Sequence, residues 1–243
     1  MIVVTGGTHG IGRACVERLA PSGVVFTGRD EAAGQALAAS LPHTSFIPGD
    51  VADEADIRRV VDAALDRGDG RIDGLVNNAG TSRRVAFADA TVADWDTVMD
   101  VNARSAFLFT RWALPGLRAA RGAVVNIASI AGWTGEEGLA IYCASKAAVI
   151  AMTKALALEF GHEVRFNAIC PGQIDTRMMA GIKDDPLRRR QLEQRIPAGR
   201  FGRPEEVAEA VAWLLSPQSG YVNGTVLGVD GGEAAGLRTP RSP

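Results

Sequence analysis

Short apolar runs alternate along the chain with longer segments in which apolar residues recur at helical spacing. The short runs predict buried strands at Ile2–Val4, Val24–Phe26, Thr44–Ile47, Ile72–Val76, Ala123–Ile127, Val164–Ile169 and Thr225–Val229. Helical spacing predicts helices over 11–20, 30–40, 53–66, 94–118, 141–160 and 204–215. Such alternation indicates a parallel sheet with right-handed crossovers. The pattern therefore predicts an α/β fold, a doubly wound parallel sheet of about seven strands with helices on both faces.

Two segments depart from this rhythm. Residues 177–203 are long, charged and rich in arginine, and 233–243 is a tail of Gly, Pro, Ser and Arg that we expect to be flexible. No repeat, low-complexity tract or linker divides the rest. We therefore expect a single domain over 1–232.

Composition narrows the function classes. Of the 243 residues, 47% are hydrophobic and 22% charged, and the formal net charge is −2. This charge gives no reason to expect binding to nucleic acid or to an anionic membrane. No apolar run looks long enough to span a bilayer, and no signal-peptide pattern opens the chain before the first strand at Ile2. We therefore expect a cytoplasmic protein.

The cysteines and histidines predict neither a disulfide framework nor a metal site. The cysteines are odd in number and have no short spacing: Cys15, Cys143 and Cys170. Histidine is also without ligand spacing, at His9, His43 and His162. Cys143 has apolar helical neighbours and is interpreted as a small core residue rather than a nucleophile.

The first strand runs into a glycine-rich turn, which we call the glycine loop (residues 5–12, TGGTHGIG). Gly6, Gly10 and Gly12 permit a tight turn and a close approach of backbone to a ligand. The helix that follows offers unpaired N–H groups and the positive end of its dipole to a phosphate. This context predicts a dinucleotide site but does not identify a reaction.

Tyr142 and Lys146 lie four residues apart in AIYCASKAAV, so they share one face of a predicted helix. Taken alone, the pair could be a snorkelling lysine beside an amphipathic tyrosine.

Seven stretches, in this order, carry a resemblance to the short-chain dehydrogenase/reductase family from Ile2 to about Gly232. They are TGGTHGIG (5–12), NNAG (77–80), Asn102 in MDVN, Ser129 in VVNIAS, YCASK (142–146), PGQIDT (171–176) and GVDGG (228–232). The resemblance implies a Rossmann-type fold, a nicotinamide cofactor, a small alcohol or ketone as substrate, and a homotetramer or homodimer.

The resemblance also implies the catalytic residues. Tyr142 matches the general acid/base, Lys146 its electrostatic partner, Ser129 the residue that polarises the substrate oxygen, and Asn102 the residue that holds a relay water. The chemistry asks for the same groups, because hydride transfer to a ketone builds negative charge on oxygen that a nearby proton donor must meet. A free phenol titrates near ~10, and a neighbouring ammonium together with the positive charge of oxidised nicotinamide favours the phenolate and should lower that pKa.

The cofactor-binding residues follow from the same match, together with Tyr142 and Lys146. The full set is Gly6, Thr8, His9, Gly10, Ile11, Gly12, Arg29, Asp50, Val51, Asn78, Ala79, Gly80, Pro171, Gly172, Ile174 and Thr176. For Asp50, a role in capping its own loop is the alternative. Residues 177–203 follow directly on the loop expected to hold the carboxamide, and we predict that they form a mobile lid that cofactor partly orders.

The end of the second strand bears on cofactor choice. An NAD-preferring turn places there an acid that binds the ribose hydroxyls. We align that position with Gly28, and the Arg29 that follows suits a 2′-phosphate. Asp30 could supply the acid if the alignment shifted by one residue, although capping of the next helix is a sufficient reason for it. The sequence favours NADP(H) and leaves NAD(H) open.

Three functions remain at this stage. The first is an NAD(P)(H)-dependent alcohol dehydrogenase or carbonyl reductase, and the second is a 3-oxoacyl-thioester reductase whose arginines at 188–190 meet an acidic carrier or a coenzyme A phosphate. A solvated helix face is the simpler interpretation of that run. The third is a nucleotide-binding sensor without activity.

The charged pairs 83–84 and 136–137 have two interpretations. They face solvent, or they face the pocket and then indicate a polar substrate.

Overall fold

Seven parallel strands form one sheet in the computed structural model of the chain, which describes residues 1–179, 181 and 185–236. The strands are β1 (Ile2–Thr5), β2 (Val24–Gly28), β3 (Thr44–Pro48), β4 (Gly74–Asn77), β5 (Ala123–Ile127), β6 (Arg165–Pro171) and β7 (Val226–Val229). Their order in the sheet is β3-β2-β1-β4-β5-β6-β7. The predicted fold class is confirmed.

Helices occupy the connections between the strands. They are α1 (Gly10–Leu19), α2 (Glu31–Ser40), α3 (Glu54–Arg67), α4 (Val92–Met99), α5 (Ser105–Ala120), α6 (Ala131–Thr134), α7 (Ala140–Phe160), α8 (Pro186–Arg195) and α9 (Pro204–Leu215). The helix α8 lies in the predicted lid, of which 180 and 182–184 fall outside the described residues. Of the predicted tail, 237–243 fall outside them as well.

The two faces of the sheet bury separate apolar clusters because strand side chains alternate in direction. Val4 and Phe26 pack with α1 and α9 on one face. Val3 and Val25 pack with α3 and α5 on the other. Strands buried on both faces read as continuous apolar runs, which is why the sequence pattern located them.

The strand order reverses between β1 and β4, since the chain builds outward from β1 in one direction and then returns to build in the other. At such a reversal the loops diverge at the carboxyl ends of the strands and leave a crevice. The glycine loop and the residues that follow β4 lie at this point.

One predicted helix is wrong in outline. Instead of a single helix over 94–118, the chain forms α4 and α5 joined by a π-helical turn, Asp100–Arg104. Helix α4 also begins earlier, at Val92, where Thr91 and Asp94 form a capping box. The turn contains no glycine or proline, so no residue type marks the break in the sequence.

Helix α7 is long and apolar enough to span a membrane by length and composition alone. Our expectation that no such run exists was therefore wrong. In this fold α7 packs on α6 and β6, and it buries Ser145, Lys146 and Thr153. A core helix passes the same composition test, so the finding is weak evidence for a membrane span.

A buried polar network joins β4, β5, α5 and α7. Asn77 Nδ2 donates to Asn126 Oδ1 at 2.8 Å and to Thr110 Oγ1 at 3.1 Å. Asn126 Nδ2 donates in turn to Thr153 Oγ1 at 2.9 Å. Such a network fixes the positions of the two strands and two helices that surround the reacting end of the site.

We expect Asn126→Ala to lower the free energy of unfolding by about 2–4 kcal/mol, because it opens a cavity and removes an acceptor from the buried Asn77 amide. Chemical denaturation measures this change. Gln191→Ala removes an exposed amide and serves as the control, with an expected change within about 0.5 kcal/mol. Equal stability of the two variants would show that the network contributes nothing.

Candidate active site

The glycine loop brings backbone N–H groups to the cleft. Gly6 and Gly10 adopt positive φ angles of 65° and 53°, which side chains with a Cβ rarely tolerate. A Cβ on Gly12 would lie 2.1 Å from the carbonyl oxygen of Gly6. Helix α1 has no acidic residue in its first turn, and its N-cap residue, His9, makes no side-chain cap. Its N-terminus therefore remains open to an anion.

The ends of β1 and β4 are bound to each other beneath this loop. Asn78 Nδ2 donates to the carbonyls of Thr5 at 2.9 Å and Gly6 at 3.1 Å. The Thr5 hydroxyl oxygen accepts from the backbone N–H groups of Asn78 at 3.0 Å and Ala79 at 2.9 Å. These bonds hold the loop and the following turn as one unit.

A single cleft of about 820 Å³ runs along the carboxyl ends of the strands. All the residues predicted to bind cofactor line it, from the glycine loop through Arg29, Asp50–Val51 and Asn78–Gly80 to the loop after β6. Ser129, Tyr142 and Lys146 line it too, whereas Asn102 is buried and does not line the cleft. The structure thus brings the predicted residues together, while their individual roles stay predictions.

Tyr142 and Lys146 stand one turn apart in the first turns of α7, as the spacing predicted. The Lys146 ammonium lies 5.9 Å from the centre of the Tyr142 ring and donates to the Ile127 carbonyl at 2.8 Å. Ser129 follows β5, and its hydroxyl is hydrogen-bonded to Tyr142. The phenol is thereby flanked by a hydroxyl and by an ammonium.

Burial controls the titration of both groups. It lowers the pKa of Lys146 to about 8. It also raises the pKa of Tyr142 above its ordinary value, and the Ser129 hydrogen bond offsets this only in part. In the free protein, burial therefore sets the direction of the Tyr142 pKa. The expected lowering by the ammonium together with oxidised nicotinamide stays a prediction.

Asn102 lies in the π-helical turn between α4 and α5. Its Nδ2 donates to the Thr81 carbonyl and to Ser145 Oγ, both at 2.9 Å, and its Oδ1 accepts from the Thr81 N–H at 2.8 Å. A Cβ placed on Gly80 would lie 3.4 Å from both Asn102 Oδ1 and Lys146 Nζ. Asn102 therefore sits near the lysine, and its role in a proton relay stays a prediction.

Charged side chains gather at the opposite end of the cleft. Arg29 is 79% exposed and lies 3.8 Å from Asp50 Oδ2. Asp30 caps α2 by accepting from the Ala33 N–H at 3.1 Å, as predicted, and this bond is the main cause of its lowered pKa. Asp50 Oδ1 accepts from the Ala52 N–H at 3.0 Å, so the capping alternative for Asp50 holds while the residue still lines the cleft.

Three residues at the site were missed in the sequence. Thr81 and Ser145 hold Asn102, and Arg177 lines the cleft with Nη1 2.9 Å from His9 Nε2. Ser145 and Thr81 stood next to recognised residues, but a supporting hydroxyl has no signal of its own in one sequence. Arg177 follows Thr176 directly and was assigned to the lid without a role.

The charged pairs near the entrance form ion pairs. Arg84 Nη2 lies 2.6 Å from Glu136 Oε1, and Arg83 Nε lies 2.7 Å from Asp94 Oδ1. Glu136 also contributes to the raised pKa of Tyr142, so its carboxylate acts on the reacting end of the cleft. Neither arginine is a free surface charge.

The residues present suit a nicotinamide dinucleotide. The open N-terminus of α1 and the glycine turn accept a diphosphate, and the buried Lys146 is placed to bind ribose hydroxyls beside Tyr142. A glycine-rich βα turn joined in one cleft to a Ser–Tyr–Lys site defines a nucleotide-dependent oxidoreductase.

Comparison with known proteins agrees. Residues 6–233 match the family model described as enoyl-(acyl carrier protein) reductase. L-fucose dehydrogenase of Mus musculus is 42% identical, covering 97% of this chain and 89% of that protein. The 3-oxoacyl-(acyl-carrier-protein) reductase FabG of Thermotoga maritima is 38% identical, covering 95% and 96%.

Among solved structures, a short-chain dehydrogenase/reductase from Brucella melitensis described as glucose/ribitol dehydrogenase superposes with a TM-score of 0.90 at 34% identity, covering 96% of this chain and 95% of that one. The chain belongs to the short-chain dehydrogenase/reductase family. It is an oxidoreductase of CH–OH and carbonyl groups that uses a nicotinamide cofactor.

In the free protein, we expect Tyr142 to ionise only at a pH higher than an ordinary tyrosine needs, because burial raises its pKa. The chain has two tyrosines, so ultraviolet titration of Tyr221→Phe reports Tyr142 alone. Oxidised cofactor should move the onset to lower pH, since its positive charge favours the phenolate. The Tyr142→Phe/Tyr221→Phe protein, the control, should give no signal. A phenolate signal at neutral pH without cofactor would contradict this.

Proposed function

We propose that the protein interconverts a secondary alcohol and a ketone with Tyr142 as general acid/base. When bound, the nicotinamide supplies or accepts the hydride. In the reducing direction Tyr142 Oη gives its proton to the substrate oxygen, and in the oxidising direction it takes that proton. Ser129 donates a hydrogen bond to the same oxygen and stabilises its developing charge.

Lys146 stabilises the phenolate that Tyr142 becomes after it has given up its proton. The ammonium is buried beside the ring, where its field is screened less than it would be in water. Asn102, held by Thr81 and Ser145, is placed to position a water that returns a proton toward Lys146. The observation that carries the proposal is the joining of Ser129, Tyr142 and Lys146 in the cleft that the glycine loop opens.

Tyr142→Phe should abolish nearly all turnover while cofactor affinity stays within a few-fold, because only the proton path is removed. Steady-state kinetics gives turnover, and fluorescence titration of the reduced cofactor gives affinity. Tyr221→Phe alters an exposed phenol and should retain full activity. Retention of more than roughly a tenth of wild-type turnover by Tyr142→Phe would exclude it as the acid/base.

We further propose that NADP(H) is the preferred cofactor. Thr8 packs against the end of β2, where a Cβ on Gly28 would lie 2.7 Å from the threonine Cγ2. Gly28 itself offers no acid to bind the ribose. Arg29 is exposed at the same end and lies 3.8 Å from Asp50 Oδ2. Asp30 is engaged by α2 and by His9, which supports the original alignment.

Arg29→Ala should weaken binding of NADPH and leave NADH unchanged, because only NADPH carries the 2′-phosphate that the guanidinium binds. The Kd and kcat/KM for both cofactors measure the effect. Arg18→Ala, which removes an arginine paired with Glu209, is the control. A wild-type preference for NADH of tenfold or more, about 1.4 kcal/mol, would assign the ribose to Asp30 instead.

Reduction of a 3-oxoacyl thioester is the second candidate. It is supported by the 38% identity to FabG and by Arg188 and Arg190, exposed on α8. The Arg84–Glu136 pair near the reacting end supports a small polar alcohol or ketone instead. Turnover of acetoacetyl thioesters against sugars, cyclic ketones and steroids with purified enzyme discriminates between the two.

A homodimer or homotetramer is proposed as the assembly. Phe107 on α5 is 52% exposed and Leu158 on α7 is 89% exposed, and covering apolar groups of this size with a partner is favourable.

The lid over 177–203 stays a prediction, tested by hydrogen exchange with and without cofactor.

A further inference from the structure

His9, Asp30 and Arg177 form a cluster across the cleft, and each comes from a different element. His9 belongs to the glycine loop, Asp30 follows β2, and Arg177 follows the loop after β6. His9 Nε2 lies 2.7 Å from Asp30 Oδ2 and 2.9 Å from Arg177 Nη1. Arg177 Nη1 is 4.0 Å from the same carboxylate oxygen.

The two short contacts at His9 Nε2 cannot both be hydrogen bonds. A ring nitrogen has one position in its plane, occupied either by a proton that is donated or by a lone pair that accepts. If Nε2 donates to Asp30, it has nothing to offer Arg177, which is itself only a donor. If Nε2 accepts from Arg177, its lone pair faces the lone pairs of the carboxylate oxygen, and the two repel each other. In either case Arg177 is held weakly.

Arg177 is placed to act on the open end of α1. Its neighbour Thr176 lies against the first residue of that helix, where a Cβ on Gly10 would meet Thr176 Cγ2 at 3.2 Å. The arginine side chain is 75% exposed and lines the same cleft. The Arg177 guanidinium thus lies in the part of the cleft where the glycine loop and the N-terminus of α1 would bind an anion.

We propose that Arg177 binds the diphosphate of the dinucleotide, and that in the free protein Asp30 and His9 hold it aside. On binding, the guanidinium exchanges a 4.0 Å contact with one carboxylate for charge-assisted hydrogen bonds to phosphate oxygens. The inference rests on the proposed dinucleotide site but not on the preference for NADP(H). Arg29 recognises the 2′-phosphate, and Arg177 recognises the group that both cofactors share.

Titration calorimetry with ADP-ribose and its 2′-phosphorylated form tests this without turnover. Arg177→Ala should weaken binding of both ligands about tenfold, the loss of one charge-assisted contact, and Arg177→Lys should lose less. Arg29→Ala should affect the phosphorylated ligand alone. Arg18→Ala, which removes an exposed arginine that does not line the cleft, is the control and should bind both ligands as wild type does.

Asp30→Asn gives an independent measurement, because asparagine still caps α2 while the charge that holds Arg177 is removed. ADP-ribose should bind Asp30→Asn more tightly than wild type, and this gain should vanish in Asp30→Asn/Arg177→Ala. Wild-type affinity of Arg177→Ala for both ligands, or a loss confined to the 2′-phosphorylated one, would overturn the inference. Failure of the wild-type protein to bind either ligand would overturn the dinucleotide site itself.

Discussion

The buried ammonium of Lys146 is the constraint on which the reacting end of this molecule depends. Within the described part of the chain no carboxylate pairs with it, and its hydrogen-bond partner is the Ile127 carbonyl. A carboxylate there would satisfy the lysine but would also neutralise the field that Tyr142 needs when it becomes a phenolate. Burial without a counter-ion is costly, so the site is held in place by structure around it rather than by its own contacts. The amide network of Asn77 and Asn126 provides part of that support.

The sequence predicted the fold well because both faces of the sheet are covered. Doubly buried strands read as apolar runs whatever their exact pairing, so the existence of all seven strands could be read although their ends shifted by a residue or two. The break between α4 and α5 could not be read from the sequence, because the π turn has no glycine or proline to mark it. It matters for function, since Asn102 lies in that turn.

The sequence predicted which residues gather around the cleft, but not how burial changes their pKa values. Residues that chemistry fixes by type, such as Tyr142 and Lys146, were found because their order and spacing carry a family resemblance. The effect of burial on the Tyr142 pKa could not be predicted, because spacing along the chain shows which residues are neighbours but not how deeply they are buried. Arg177 was missed because its position in the fold, rather than its chemistry, was unknown. Its type was plain, but only the fold shows that the chain passes over α1 at that residue.

The two ends of the cleft use charge in opposite ways. At the reacting end Lys146 is buried, so its charge is weakly screened and its pKa falls to about 8. At the adenosine end Arg29 and Arg177 are mostly exposed and rest near Asp50 and Asp30, and such surface contacts contribute little to stability. A phosphate can displace such a weak contact. The arginine loses little when it leaves one carboxylate, and it gains charge-assisted hydrogen bonds to a doubly charged group. Exposed carboxylates beside these arginines therefore offset their charge without blocking an anionic cofactor, whereas the same pairs, if buried, would resist it.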